Sequence, residues 1–137
     1  MNRGELQDLA GQRLREARAL LENGHYAGAY HLAGLAVECA LKACIAKSMK
    51  RFEFPDKKFA ADCFDHDLTK LRKLAGLEAA FDADARATPK LGVNWQIVKD
   101  WTIESRYERK TAQEAADLYS AIHRQKTGVL RWIRQHW

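Results

Sequence analysis

The sequence predicts an all-α protein, an antiparallel helical bundle of four to five helices within a single domain over residues 1–137. Three observations carry this reading. Apolar residues recur at helical steps along most of the chain. A capping box opens the last long segment. No stretch alternates apolar and polar residues around a hairpin turn, so no strand is expected.

The first helix is expected from about Gly4 to Glu22. Leu6, Leu9, Leu14, Ala17 and Leu21 form its inner stripe, and Arg13, Arg15, Glu16 and Arg18 fill most of the remaining surface. Asn23-Gly24 stops it, because both residues tolerate the left-handed conformation that ends helices. A second helix should run from about His25 to Lys50. Tyr26, Tyr30, Ala33, Val37, Ala40 and Cys44 make one stripe, and Leu32, Leu35, Ala36 and Ala43 widen it almost all round. A helix apolar on most faces belongs in the middle of a domain. The short link predicts that the first two helices pack antiparallel.

Periodicity fails from Arg51 to Asp65, where Pro55 lies among Phe52, Phe54, Phe59 and Phe64. This reads as a loop with aromatic anchors around a short turn of helix. Asp65 or Asp67 can cap a helix carrying Leu68, Leu71 and Leu74, closed by Gly76. A short helical piece over Leu77 to Arg86 ends before Pro89. Another is expected over Val93 to Trp101 with Val98 and Trp101 inward, followed by a charged connection from Thr102 to Lys110. Thr111-Ala-Gln-Glu114 has capping-box spacing, and the last helix should bury Ala115, Leu118, Ile122, Val129 and Ile133, bent at Gly128.

Composition narrows the class. Hydrophobic residues make up 47% and charged residues 30% of the chain, which is globular rather than disordered. No apolar run reaches the roughly 18 residues of a bilayer span. Met1 to Gln12 carries acids and no hydrophobic block, unlike a signal peptide, so a cytoplasmic location without membrane contact is expected. The net charge of +5 permits a polyanionic partner without requiring one. Cys39, Cys44 and Cys63 form no CxxC pair, so neither a disulfide nor a zinc site is expected, and no metal or cofactor is assigned. Cys39 and Cys44 read as small buried hydrophobes.

Chemistry concentrates in a few places. His31, Glu38 and Lys42 share one face of the second helix. That stripe is either a solvated edge with a Glu38–Lys42 pair or one wall of a polar cleft. Arg106 and Tyr107 precede the capped last helix. Arg106 can fork onto a phosphate or onto Glu38, and Tyr107 can stack on a base or lie as a lid over the core. Lys42, Lys47, Lys50, Arg51, Lys57 and Lys58 make a basic stretch, suited to a polyanion or simply to a helix C-terminus. His66, between Asp65 and Asp67, is either held protonated or an ordinary cap-region residue. No phosphate-binding Gly loop, HExxH or Gly-x-Ser-x-Gly is present.

The run Ala29-Tyr-His-Leu-Ala-Gly-Leu-Ala-Val-Glu-Cys-Ala-Leu-Lys42 resembles the second helix of HEPN domains. The resemblance continues through His66-Asp-Leu-Thr-Lys-Leu71, Trp101, Arg106-Tyr107 and the amphipathic last segment, covering about Gly4 to Trp137. It implies a helical bundle, commonly a homodimer, that binds nucleotide or RNA, cleaves RNA as a toxin, or partners a small nucleotidyltransferase. A polar groove is then expected from His31, Glu38, Lys42, His66, Arg106 and Tyr107, with Glu38 and Arg106 in direct contact. Cleaving members carry an Arg followed four to six residues later by His near the start of the last helix. Here no His follows Arg106 or Arg109 at that distance. Formal matches occur only at Arg18–His25 and Arg131–His136, and the second is the better nuclease candidate. The expectation is therefore a non-catalytic nucleotide- or RNA-binding protein. The alternatives are a metal-independent ribonuclease and a pure protein-interaction module. Trp132 and Trp137, costly to leave exposed, add to the expectation of a dimer.

Overall fold

The computed structural model describes residues 1–49 and 57–137. Among these are eight α-helices and no strand: α1 Arg3–Glu22, α2 Tyr26–Ser48, α3 Lys57–Asp62, α4 Leu68–Leu74, α5 Glu78–Ala87, α6 Pro89–Val98, α7 Ala112–His123 and α8 Val129–Arg134. A 3-10 turn, Ile103–Tyr107, joins the α6 region to α7.

Helix α1 starts one residue earlier than its apolar stripe suggests, because Asn2 and Glu5 form a reciprocal capping box. That signal is legible as Asn-x-x-Glu. Asn23 and Gly24 end the helix, with Gly24 at φ +79°, and α2 folds back along α1. Helix α2 is the central element, packed against α1, α4, α7, α8 and the 3-10 turn. Its length and composition alone would allow it to cross a bilayer, yet most of its surface is covered by these neighbours. Val37, Leu41 and Ile45 are buried along it, each contributing roughly 1.5–3 kcal/mol of transfer free energy. Cys39 and Cys44 are buried thiols; burial pushes Cys44 up to about 11, so it packs as a neutral hydrophobe.

Asp67 caps α4, accepting from the Lys70 amide, and Gly76 at φ +72° follows the helix. Pro89 then supplies the first turn of α6, so that helix starts earlier than expected and leaves Val93 exposed. Val98 and Trp101 are buried as their spacing predicts.

The last helix is interrupted, not merely bent. α7 stops at His123, Arg124 and Gly128 are extended, and α8 begins at Val129. A Cβ at Gly128 would collide with the carbonyl oxygens of Ile122 and Arg124, so the tight reversal depends on the missing side chain.

The C-terminal aromatics are also differently placed than expected. Trp132 is buried, meets Phe81 edge-on at 5.3 Å between centroids, and donates its indole N–H to Asp84 at 2.8 Å. Trp137 is half-buried, with the Arg134 guanidinium over its ring and its carbonyl accepting from Arg3. Neither is a surplus surface aromatic, so they lend no support to a dimer. Phe59 packs against the core, whereas Phe64 is 79% exposed and joins no core cluster among the described residues. Phe52, Phe54 and Pro55 lie outside the described residues.

Arg72 is a structural feature that sequence periodicity does not reveal. Its guanidinium lies 4.4 Å from the Phe81 ring centroid and 4.5 Å from that of Trp95. Its Nε and Nη1 are buried without hydrogen-bond acceptors, and desolvation lowers its pKa, against the opposing charges of Asp82 and Glu78. The aromatic faces replace part of its hydration. This cluster ties α4, α5, α6 and α8 together. Asp84→Ala would leave the Trp132 N–H buried without its acceptor. It should destabilise the fold by about 1–2 kcal/mol in urea unfolding; an unchanged midpoint would show that the bond contributes nothing.

Candidate functional site

The polar cluster is built on the most buried helix of the protein. Glu38 is only 5% exposed, between buried Val37 and Cys39 on α2. A carboxylate there requires partners. One comes from the next turn, where Lys42 Nζ lies 3.3 Å from Glu38 Oε2. The other comes from the segment that caps α4, where His66 Nδ1 lies 2.7 Å from Glu38 Oε1.

The expected Glu38–Arg106 contact is not formed. Arg106 is exposed and lays its guanidinium 4.8 Å from the ring centroid of Tyr107, which is 75% exposed. Tyr107 is therefore not a lid over the core. The physical reason lies in the backbone: Ser105 turns inward and is buried, so in the 3-10 turn its neighbour Arg106 is turned outward. Arg106 still lies close enough to His31 for its charge to act there. His31 has its pKa lowered chiefly by burial and then by Arg106, with Glu38 opposing. The ring of His31 stacks near Trp101 at 6.1 Å, and its Nδ1 is 3.4 Å from Ser105 Oγ. His31, Glu38, Lys42 and His66 thus form one neighbourhood, with Arg106 within electrostatic reach. Tyr107 adjoins it through Arg106.

Two grooves open beside this cluster. One, of about 280 Å³, is lined by Asp65, His66, Asp67, Lys99, Trp101, Thr102 and Ile103. A wider one of about 610 Å³ shares Asp65 and is lined further by Lys58, Asp62, Lys70, Lys73 and Leu74. Lys99 in the smaller groove and Lys70 and Lys73 in the wider one are cations that no sequence motif marks, because the grooves they line arise only in the fold.

Of the basic stretch, Lys47, Lys57 and Lys58 are exposed, and Lys58 reaches the wider groove. Lys50 and Arg51 lie outside the described residues. Arg131 and His136 do not share surroundings. Arg131 lines a shallow pocket with Leu14, Ile122 and His123, whereas His136 packs on the Trp132 ring at 4.4 Å with its Nε2 buried and unbonded. Among the described residues, no three His, Cys, Asp or Glu side chains gather closely enough to hold a metal ion.

No curated protein and no solved structure matches the chain. A family model described as HEPN domain matches residues 5–133, from the first turn of α1 to the end of the buried stripe of α8. The match therefore spans α2 with Glu38, the His66 segment and the 3-10 turn alike, and the chain belongs to the HEPN domain family.

Proposed function

We propose that this HEPN domain binds nucleotide or RNA, without cleaving it, along the groove beside His66. The observation that carries this reading is the buried Glu38 carboxylate, which pairs with Lys42 on its own helix and holds His66 at the edge of an open polar groove. Fixed polar groups at a solvent-accessible groove suit recognition of a polar ligand. Arg106, Lys99 and the Lys58–Lys70–Lys73 rim supply positive charge for a phosphodiester backbone. Tyr107 and Phe64, both strongly exposed, supply ring faces on which bases can stack.

The non-catalytic part of the proposal rests on chemistry. No His follows Arg106 or Arg109 within six residues, and Arg131 and His136 occupy different surroundings. In this reading the domain works in the cytoplasm as a homodimer and partners a small nucleotidyltransferase. The exposed Val93 and Ile97, one turn apart on α6, offer an apolar contact for such assembly.

Fluorescence anisotropy with a labelled RNA oligomer tests the binding. Arg106→Ala should weaken it severalfold and shift the melting temperature by at most a few degrees, because Arg106 is exposed and holds no buried partner. Full-length RNA should persist on a denaturing gel after long incubation. Cleavage in the absence of metal would instead favour the ribonuclease reading.

A further inference from the structure

We infer that the groove beside His66 is a subsite for ribose hydroxyls, with His66 Nε2 accepting a hydrogen bond from a 2′-hydroxyl, so that the protein prefers RNA to DNA. This rests on the nucleotide- or RNA-binding reading above.

The argument begins with the tautomer. An ionised carboxylate can only accept hydrogen bonds, so at 2.7 Å from Glu38 Oε1 the His66 Nδ1 must carry the hydrogen. In the neutral ring Nε2 is then an acceptor. The side chain is 48% exposed and lines the smaller groove, which makes that acceptor available to a ligand.

The other groove residues have the same preference. Asp65 accepts from the Asp67 amide at 2.8 Å and from Lys70 Nζ at 3.2 Å, and Asp67 accepts from the Lys70 amide at 3.1 Å. Each carboxylate keeps lone pairs free, since a carboxylate can accept about four bonds. Two carboxylates and the imidazole Nε2 make a wall of acceptors that disfavours a phosphate, itself an anionic acceptor. Lys99 is the permanent cation among the lining residues. What such a wall wants is a neutral group that donates. Trp101 is 1% exposed and offers no free face to a base, so a base gains little stacking inside the groove. A ribose, bearing hydroxyls and no charge, satisfies the wall, while the phosphates on either side run out to Arg106 and to the lysine rim. Deoxyribose lacks the 2′ donor and leaves His66 Nε2 without a partner.

Anisotropy titrations with RNA, DNA and 2′-O-methyl RNA of one base sequence test this. RNA should bind about tenfold more tightly than either analogue, since both lack the 2′ donor. His66→Asn places an amide N–H where Nδ1 stands, keeps the contact to Glu38, and deletes the acceptor at Nε2. This variant should level RNA with DNA. Glu38→Gln provides a second route: Lys42 takes the amide oxygen, the NH2 turns to His66 Nδ1, and Nε2 becomes a donor, so the RNA preference should again disappear. Circular dichroism melts confirm which variants are folded, and one folded variant suffices. Equal affinities of the native protein for RNA and DNA, or a preference for RNA that survives substitution, overturn the ribose subsite while leaving RNA binding intact. Absence of binding to all three oligomers overturns the functional reading of the groove itself.

Discussion

Gly34→Ala should lower the melting temperature by about 10 °C, a loss on the order of 3 kcal/mol. Gly34 is buried in the middle of α2, and the Trp101 indole lies directly on it. A Cβ there would fall within the envelope of Trp101 Cδ1, Cε2 and Nε1. The ring is fully buried, and interiors packed at crystal density transmit such an overlap to the backbone. The indole Nε1 has no hydrogen-bond partner, so shape alone makes this contact. Because Trp101 also lines the smaller groove and stacks near His31, the displacement should reach the ligand site. The diagnostic partner variant is Trp101→Leu, which removes the indole atoms that a Cβ at Gly34 would meet. In the Gly34→Ala background it should recover part of the lost stability, although alone it costs some. A Gly34→Ala protein that melts like the native one would mean that the Trp101 ring does not seat on α2.

Trp101 and Gly34 also mark how far the sequence is legible. That Trp101 faces inward follows from its spacing from Val98. That Gly34 receives it does not, because a glycine in an apolar helix looks like any other small residue until a ring from another segment lies on it. The central role of α2 is readable, since nearly all its faces are apolar, and so are the caps at Asp67 and Thr111, which are local. The break between α7 and α8 is only half-readable: Gly128 is conspicuous, but whether a glycine bends or interrupts a helix depends on which carbonyls crowd it. For the site, helical spacing correctly gathers His31, Glu38 and Lys42 and marks a stripe that must find polar company. It does not say which distant segment supplies that company. Arg106 offered the stronger bidentate pairing on chemical grounds, yet the 3-10 turn buries Ser105 and directs Arg106 outward, and His66, fixed beside the Asp67 cap, reaches Glu38 instead. Local chemistry is written in the sequence; the meeting of three segments at one carboxylate is a tertiary fact.

The Glu38 cluster yields the second large effect and separates stability from binding. Lys42→Met combined with His66→Leu would remove both partners that Glu38, only 6% exposed, has among the described residues. An uncompensated buried charge is strongly destabilising, so the double variant should lose on the order of 3 kcal/mol and melt about 10 °C lower. Adding Glu38→Leu removes the stranded charge and leaves an apolar cluster of similar volume beside Val37 and Leu41. Such replacements are often neutral or stabilising, so the triple variant should recover most of the loss. A triple variant no more stable than the double would show that desolvation of Glu38 is not what Lys42 and His66 offset. The recovered triple variant is also the sharper test of purpose. A cluster kept only for folding would be dispensable once the apolar set replaces it, and RNA affinity would be unchanged. If its purpose is the groove, the triple variant should be folded and stable, yet bind RNA more weakly and no longer distinguish it from DNA, because the oriented His66 acceptor is gone while the surrounding lysines remain.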